Sequence, residues 1–250
     1  KNKGRWSSAE YRGIIRKFKP TIMDYTEAPQ EKSFCIIRHD VEFSLSRALE
    51  LARLDNEEGI VSTFFIQIMN DSYNCLSLFS RNQIEQILGL GHHVGLHFYV
   101  SHIVENDKVT LHRELKEQTK VLELAIGQAV DRFSFHRPPR WVLELDGGLF
   151  SPLINAYDPA YFELTSGAAK PKEIKYIADS QHLWHYGHPF DAYDYQKFQI
   201  LLHPDEWTPD GCGVLENFDE LISRQEKEFV ACIKGECRHF DRALQALDNV

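Results

Sequence analysis

The chain has 250 residues, of which 43% are hydrophobic, and it carries a formal net charge of -9 at pH 7. This length suffices for one substantial hydrophobic core, while the acidic charge argues against nucleic acid or an anionic membrane as the main partner. No apolar run has the length of a membrane span. The five cysteines include no C-x-x-C pair, so reduced thiols and a cytoplasmic location are favoured over a disulfide framework or a thiolate zinc site.

The first 32 residues predict a lead-in helix followed by a polar connector. Apolar residues have helical spacing over residues 7–18, where Ser7 or Ser8 can cap the helix and Pro20 ends it. We expect residues 1–250 to form a single domain, with residues 1–32 as this lead-in.

The most informative stretch is an apolar run that ends in charged residues. Residues 34–37 predict a short buried strand, and the sequence R-H-D-V-E follows at once. Charges are costly inside a buried strand, but they fit at its carboxyl end, where the strands of α/β folds open onto a cleft. In an extended chain Asp40 and Glu42 point to the same side. One carboxylate can therefore bind a metal ion while the other acts as a base.

Strands and helices alternate through the rest of the chain. Hydrophobic patterning predicts helices over residues 45–58, 82–88, 111–124 and 218–247, and strands over residues 60–68, 93–98, 130–135, 174–178 and 198–202. Such alternation predicts a mostly parallel sheet. Polar side chains recur at the predicted strand ends, and convergence of strand ends on one rim is the barrel arrangement. We therefore predict an incomplete (β/α) barrel, with an open doubly wound sheet as the alternative.

Four histidines cluster around the third predicted strand: His92, His93, His97 and His102. On a strand His93 and His97 share a face, whereas His92 points the other way. If the chain turns after Phe98, His102 could fold back toward His97 instead. Two imidazoles and one carboxylate, with open positions left for water, form a common catalytic site for zinc and also for ferrous iron.

Five segments in chain order resemble the motifs of one enzyme family. They are Arg38-His39-Asp40-Val41-Glu42, Gly91-His92-His93-Val94-Gly95-Leu96-His97, Phe135-His136-Arg137-Pro138-Pro139, Asp179 with Trp184, and Leu201-Leu202-His203. Together they resemble the metal-dependent polysaccharide deacetylases of the NodB-homology type, carbohydrate esterase family four. The resemblance is greatest to the divergent branch whose first motif reads H-D-V-D. The fold class implied is α/β: a single-domain (β/α) barrel, incomplete or distorted, with seven strands.

The resemblance implies a role for each matching residue. Asp40 is the catalytic base, and Arg137 holds it ionised and oriented. Glu42 and His97 are metal ligands. His203 is the general acid that protonates the leaving amine.

The third metal ligand is the point at which the sequence departs from the family pattern. In the family a second histidine follows the first by four residues, whereas His102 follows His97 by five. Glu42 also stands where the family has an aspartate. We predict Glu42, His97 and His102 as the ligands, with His93 or His136 as substitutes for His102.

The remaining predicted site residues surround this centre. Asp179 is expected to pair with His203 and raise its pKa, and so to act with the catalytic group. His136, Trp184 and Trp207 are expected to bind substrate. Tryptophan rings can stack on a sugar face, although core packing explains each ring equally well.

The activity implied by the resemblance is a metal-dependent amidohydrolase, with zinc as the first choice of divalent ion. It would remove an N-acetyl group from an amino sugar in envelope polysaccharide biosynthesis. The partner is an N-acetylated sugar, a sugar nucleotide or a polysaccharide intermediate, and neither nucleic acid nor a membrane span is expected. The alternative is a catalytically impaired glycan-binding or accessory protein on the same fold. A ferrous oxygenase has the right ligand types, but the β/α alternation argues against it.

Overall fold

Seven parallel strands form a single sheet in a computed structural model that describes residues 5–163, 173–192, 194–237 and 239–240. The strands are β1 (Phe34–Val41), β2 (Thr63–Ile66), β3 (His93–Tyr99), β4 (Arg132–His136), β5 (Ile154–Asn155), β6 (Ile174–Ala178) and β7 (Lys197–Leu202). Their spatial order is β5-β4-β3-β2-β1-β7-β6, and every adjacent pair is parallel. All carboxyl ends therefore open on the same side of the sheet.

Four helices lie between successive strands, one precedes the first strand and one follows the last. They are α1 (Ser8–Phe18), α2 (Leu45–Glu57), α3 (Leu78–Gly89), α4 (Lys108–Ile126), α5 (Arg140–Leu143) and α6 (Val214–Glu236). The side chains of four N-cap residues accept hydrogen bonds from first-turn amides, as good caps do: Ser7, Ser44, Ser77 and Asp107. The last predicted helix begins at Val214 rather than at residue 218, and its predicted end at residue 247 lies outside the described residues. No helix in the described ranges has both the length and the apolar character of a membrane span.

Strand β1 lies between β2 and β7, and all eight of its residues are buried. Because side chains alternate along a strand, the polar side chains of β1 point to the two opposite faces of the sheet. Arg38 and Asp40 face the concave interior of the sheet. On the opposite face His39 contacts Tyr11 of α1, with 2.8 Å between the ring Nε2 and the phenol oxygen. His39 thus belongs to the packing between sheet and helices, although it is part of the first sequence motif.

The two edges of the sheet curl toward each other. The Gln199 amide, on β7, donates to the backbone carbonyls of Ala156 and Tyr161, which follow β5 at the opposite edge; both bonds are 2.9 Å. The rings of Phe162 and Tyr176 also meet across this gap, 5.0 Å apart. An open doubly wound sheet would hold its edges apart, so that alternative is wrong and the predicted incomplete seven-stranded (β/α) barrel is confirmed. The two-residue β5 is the strand that the sequence pattern missed, because two residues show no periodicity.

Candidate active site

Three potential metal ligands meet where β1, β3 and β4 end. Glu42 follows β1 directly, His97 lies near the end of β3, and His136 is the last residue of β4. Among the described residues these three form the group whose ligand atoms all lie within 4.8 Å of one another. Glu42 Oε1 is 2.9 Å from His136 Nδ1 and 3.4 Å from His97 Nε2, and the two ring nitrogens are 3.1 Å apart.

This triangle has the dimensions of a metal site. Zinc bonds to imidazole nitrogen and carboxylate oxygen are about 2.0–2.2 Å long, which places tetrahedral ligand atoms roughly 3.3 Å apart. The three observed separations lie close to that spacing. Two histidines and one glutamate are also a known catalytic ligand set for zinc, which leaves a fourth position for water or substrate. The residues present therefore fit a divalent ion.

Hydrogen bonds orient the His97 ring so that its Nε2 faces the other two candidate ligands. The Ser134 hydroxyl donates to Asp40 Oδ1 at 3.2 Å, so its oxygen is left to accept from His97 Nδ1 at 2.8 Å. With its proton on Nδ1, the His97 ring turns the lone pair of Nε2 toward Glu42 and His136. Such an outer hydrogen bond commonly fixes the tautomer of a metal-binding histidine.

Glu42 is held in its ionised form. Burial alone would raise the pKa of this carboxyl, but its contacts with the His136 and His97 rings lower the pKa well below its usual range. Hydrogen bonds to the charged form of a carboxylate have this effect. Glu42 is thus available as a negatively charged ligand at neutral pH.

Asp40 is oriented by Arg38, not by Arg137. The Arg38 guanidinium is fully buried, and its Nη2 lies 3.0 Å from Asp40 Oδ2 and 2.8 Å from the Tyr157 hydroxyl oxygen. Arg137 is exposed at the rim of the cleft and has no described contact with Asp40. The physical reason is their depth: Asp40 lies within β1, whereas Arg137 follows the last residue of β4 and so lies beyond the end of the sheet.

His203 and Asp179 form a buried pair where the neighbouring strands β7 and β6 end. Asp179 Oδ1 lies 2.7 Å from His203 Nδ1, and Asp179 also accepts bonds from the His203 amide and from Trp207 Nε1. Burial would lower the pKa of His203, but the hydrogen bond and negative charge of Asp179, with a contribution from Glu42, raise it to about 10. His203 therefore carries a proton on a ring that faces the metal ligands, with Nε2 3.8 Å from Glu42 Oε1.

The structure places His102 and His93 away from the metal ligands. His102 Nε2 lies 2.6 Å from Glu114 of α4, and its ring stacks on Tyr99, which also stacks on His136. His93 lies at the opposite end of β3 from His97, roughly 13 Å away at about 3.3 Å per residue, where it meets Asp24. His136, one of the two substitutes considered from the sequence, takes the position predicted for His102. The reason is that β4 pairs with β3 in a register that sets Ser134 against His97.

Trp184 and Trp207 do not line the cleft. Both pack on Trp6, which precedes α1, with ring centroids 5.4 Å apart in each case. Trp207 is buried and donates to Asp179. Of the two interpretations of these rings, the structure favours packing over sugar stacking, and His136 lies with the candidate metal ligands.

The cleft above the metal ligands has a volume of about 620 Å³. Its floor contains Asp40, Glu42, His97 and His203. Aromatic and apolar side chains form much of the wall, and the polar residues of the turns after β4, β6 and β7 complete the rim: Phe43, Phe135, Tyr157, Tyr176, Leu201, Phe218, Arg137, Ser180, Gln181, Asp205 and Glu206. A cavity of this size and lining suits a small ligand with both polar and apolar faces.

No protein-family model and no curated protein matches the sequence. Solved structures do match. One is a CE4 family pseudoenzyme from Bacillus anthracis, with 12% identity and a TM-score of 0.46 over 80% of this chain. A second is the peptidoglycan deacetylase PdaC from Bacillus subtilis, with 11% identity and a TM-score of 0.45 over 87% of this chain. A third is a family 4 acetyl xylan esterase from Clostridium thermocellum in complex with cobalt, with 14% identity and a TM-score of 0.42 over 78% of this chain.

In fold, the chain is similar to carbohydrate esterase family four. It spans 62% of the pseudoenzyme, 98% of PdaC and 84% of the esterase. The similarity to family four concerns the fold alone, as the low identities require. The roles of residues rest on the geometry of this chain.

Sequence reasoning missed two residues of the site, Arg38 and Ser134. Both could have been found from strand alternation. Arg38 precedes Asp40 by two residues on a strand and therefore shares its face, as Glu42 does. Ser134 precedes His136 by two residues on β4 in the same way.

Proposed function

We propose that this protein is a metal-dependent hydrolase that removes an N-acetyl group from an amino sugar, with zinc bound by Glu42, His97 and His136. The observation that carries the proposal is the position of Asp40. Its carboxylate lies beside the ligand triangle, 3.6 Å from His97 Nδ1 at its closest, but it is not one of the three ligands. Asp40 is therefore a carboxylate outside the ligand set, which is what a hydrolase needs to accept the proton of a metal-activated water.

The chain's own groups divide the chemistry of amide hydrolysis between them. Glu42, His97 and His136 would hold a divalent ion, which would lower the pKa of a bound water and polarise the acyl carbonyl. Asp40 accepts the proton of the attacking water, while Arg38 and Ser134 hold its two oxygens in place. His203 donates a proton to the sugar nitrogen as the carbon–nitrogen bond breaks, which releases acetate and a free amine.

The base and the acid lie on neighbouring strands. Asp40 lies on β1 and His203 directly follows β7, which pairs with β1, so both side chains line the same cleft. Asp179 keeps His203 protonated and thereby ready to act as the acid. We further propose an envelope polysaccharide intermediate as the natural substrate class, by the sequence resemblance.

The test is acetate release by protein that has been purified without chelator and loaded with zinc. The panel contains an N-acetylhexosamine, its nucleotide-linked form and its β-linked oligosaccharides. We expect acetate from at least one member, loss of that activity after the ion is removed with a chelator, and recovery when zinc is restored.

The alternative function is glycan binding without hydrolysis. It predicts that wild type binds a member of the panel but releases no acetate with zinc, cobalt, manganese or iron(II). That outcome would reject the hydrolase and leave the binding protein.

A further inference from the structure

One carboxylate in the cleft has no hydrogen-bond or ion-pair partner in the part of the chain that the structure describes. Four acidic side chains line the cavity. Asp40 is paired with Arg38, Glu42 is bonded to two histidines, and Glu206 contacts His182. Asp205 differs: it is only 4% exposed, and its Oδ1 has no hydrogen-bond partner among the described residues.

The backbone of Asp205, by contrast, is firmly held. It lies in a single helical turn, Pro204–Glu206, directly after β7 and His203. Its carbonyl oxygen accepts bonds from Arg47 Nη1 of α2 and from Asn217 Nδ2 of α6, each at 2.9 Å. The fold therefore fixes the position of this residue and leaves its carboxyl free, which is the condition of a preorganised acceptor.

An unpartnered buried carboxyl costs folding stability. Buried polar groups in native proteins are nearly always hydrogen-bonded, and the exceptions call for an explanation, such as a functional role. Burial and the negative charges of Glu206, Glu42 and Asp179 raise the pKa of Asp205 to about 7, while the positive charge of His203 opposes the shift. The chain thus keeps a group that is unfavourable in the free protein at the edge of the candidate active site.

We propose that Asp205 binds substrate by accepting a hydrogen bond from a hydroxyl group of the sugar ring that carries the acylamino group. This inference rests on the proposed function, because it takes an amino sugar as the ligand. A hydroxyl group is the complementary donor for a free carboxyl. A carboxylate or phosphate at the same place would meet Asp205, Glu206 and Glu42, so the site selects an unmodified, uncharged sugar at this position.

The test is a thermodynamic cycle that combines the Asp205→Ala change with the removal of single hydroxyl groups from the sugar. The measured quantity is binding affinity. Binding of an N-acetylhexosamine oligosaccharide is measured by calorimetry on the zinc-loaded Asp40→Asn protein, in which hydrolysis of the bound sugar should be slower by about 10²–10⁴. Asp205→Ala in the same background should lower affinity by about 10- to 100-fold, as expected for a hydrogen bond to a charged group. One monodeoxy analogue should show a similar loss with Asp205 present and almost none with Asp205→Ala.

Stability separates a binding role from a structural one. Asp205→Ala in the wild-type background should raise Tm by about 2–4 °C, because the change removes an unpartnered buried carboxyl. Asp55→Ala is the matched control. Asp55 is buried on the other face of the sheet and accepts bonds from Tyr11 and Ser62, so its loss should lower Tm and leave sugar affinity unchanged.

Three results would overturn the inference: unchanged affinity in Asp205→Ala, an equal loss for every deoxy analogue in both proteins, or no sugar binding at all. The cycle does not depend on turnover. Sugar binding that obeys the cycle, without acetate release by wild type, would reject the proposed hydrolysis and leave the role of Asp205 standing.

Discussion

Replacing Asp40 with asparagine is expected to lower acetate release by a factor of about 10²–10⁴, the usual contribution of a positioned general base. Asparagine keeps the shape of the side chain and its acceptor for Arg38, but it cannot take a proton from water. The zinc content at saturating zinc should persist, since Asp40 is outside the Glu42, His97 and His136 triangle. Turnover is measured by acetate release and zinc by elemental analysis.

Two variants control for the buried charge that this change leaves behind. Arg38 is fully buried and loses its charged partner in Asp40→Asn, so some stability is lost and assays belong well below the unfolding transition. Asp40→Glu keeps the charge but shifts the carboxylate, and it should recover only part of the activity. Asp55→Asn, a buried carboxylate change on the opposite face, should lower stability with little effect on kcat. If Asp40→Asn and Asp55→Asn lose activity alike, Asp40 is not the base.

Replacing His203 with glutamine is expected to slow amide hydrolysis by about 10²–10⁴ and to affect ester hydrolysis much less. An amine needs a proton to leave, whereas a nitrophenolate does not. His203 is outside the ligand triangle, so zinc content should not change. Paired assays with an N-acetyl sugar and with 4-nitrophenyl acetate give the ratio of amide to ester hydrolysis directly.

His92→Gln is the matched histidine change for this experiment. His92 is also buried, and it bonds the Ala52 carbonyl at 2.8 Å on the helix side of the sheet. It should alter stability without altering the ratio of amide to ester hydrolysis. Equal losses on both substrates in His203→Gln would contradict a proton-donor role.

The fold was predictable because its signals are local. Apolar runs of strand length, such as residues 34–37 and 198–202, are followed by polar groups, and amphipathic helices with serine caps lie between them. The order of such elements implies parallel strands whose ends share one rim. The closure of the sheet had no local signal, since it depends on Gln199 reaching residues at the far edge.

Parts of the site were predictable from alternation along one strand or from the motif resemblance. Asp40 and Glu42 follow from alternation along β1, and the expected pairing of Asp179 with His203 is present in the structure. The third ligand depends on the register between β3 and β4, which sequence spacing does not contain. That is why the family's spacing pointed to His102 when the structure brings His136 to the centre.

The position of the bound ion tests the account most directly. In crystals of the zinc-loaded protein, an anomalous difference map should show one zinc ion about 2.0–2.2 Å from Glu42 Oε1, His97 Nε2 and His136 Nδ1. His102 should remain beside Glu114. Zinc held by His102 or His93, or no zinc within bonding distance of Glu42 and His97, would contradict the proposed metal centre and the hydrolysis built on it.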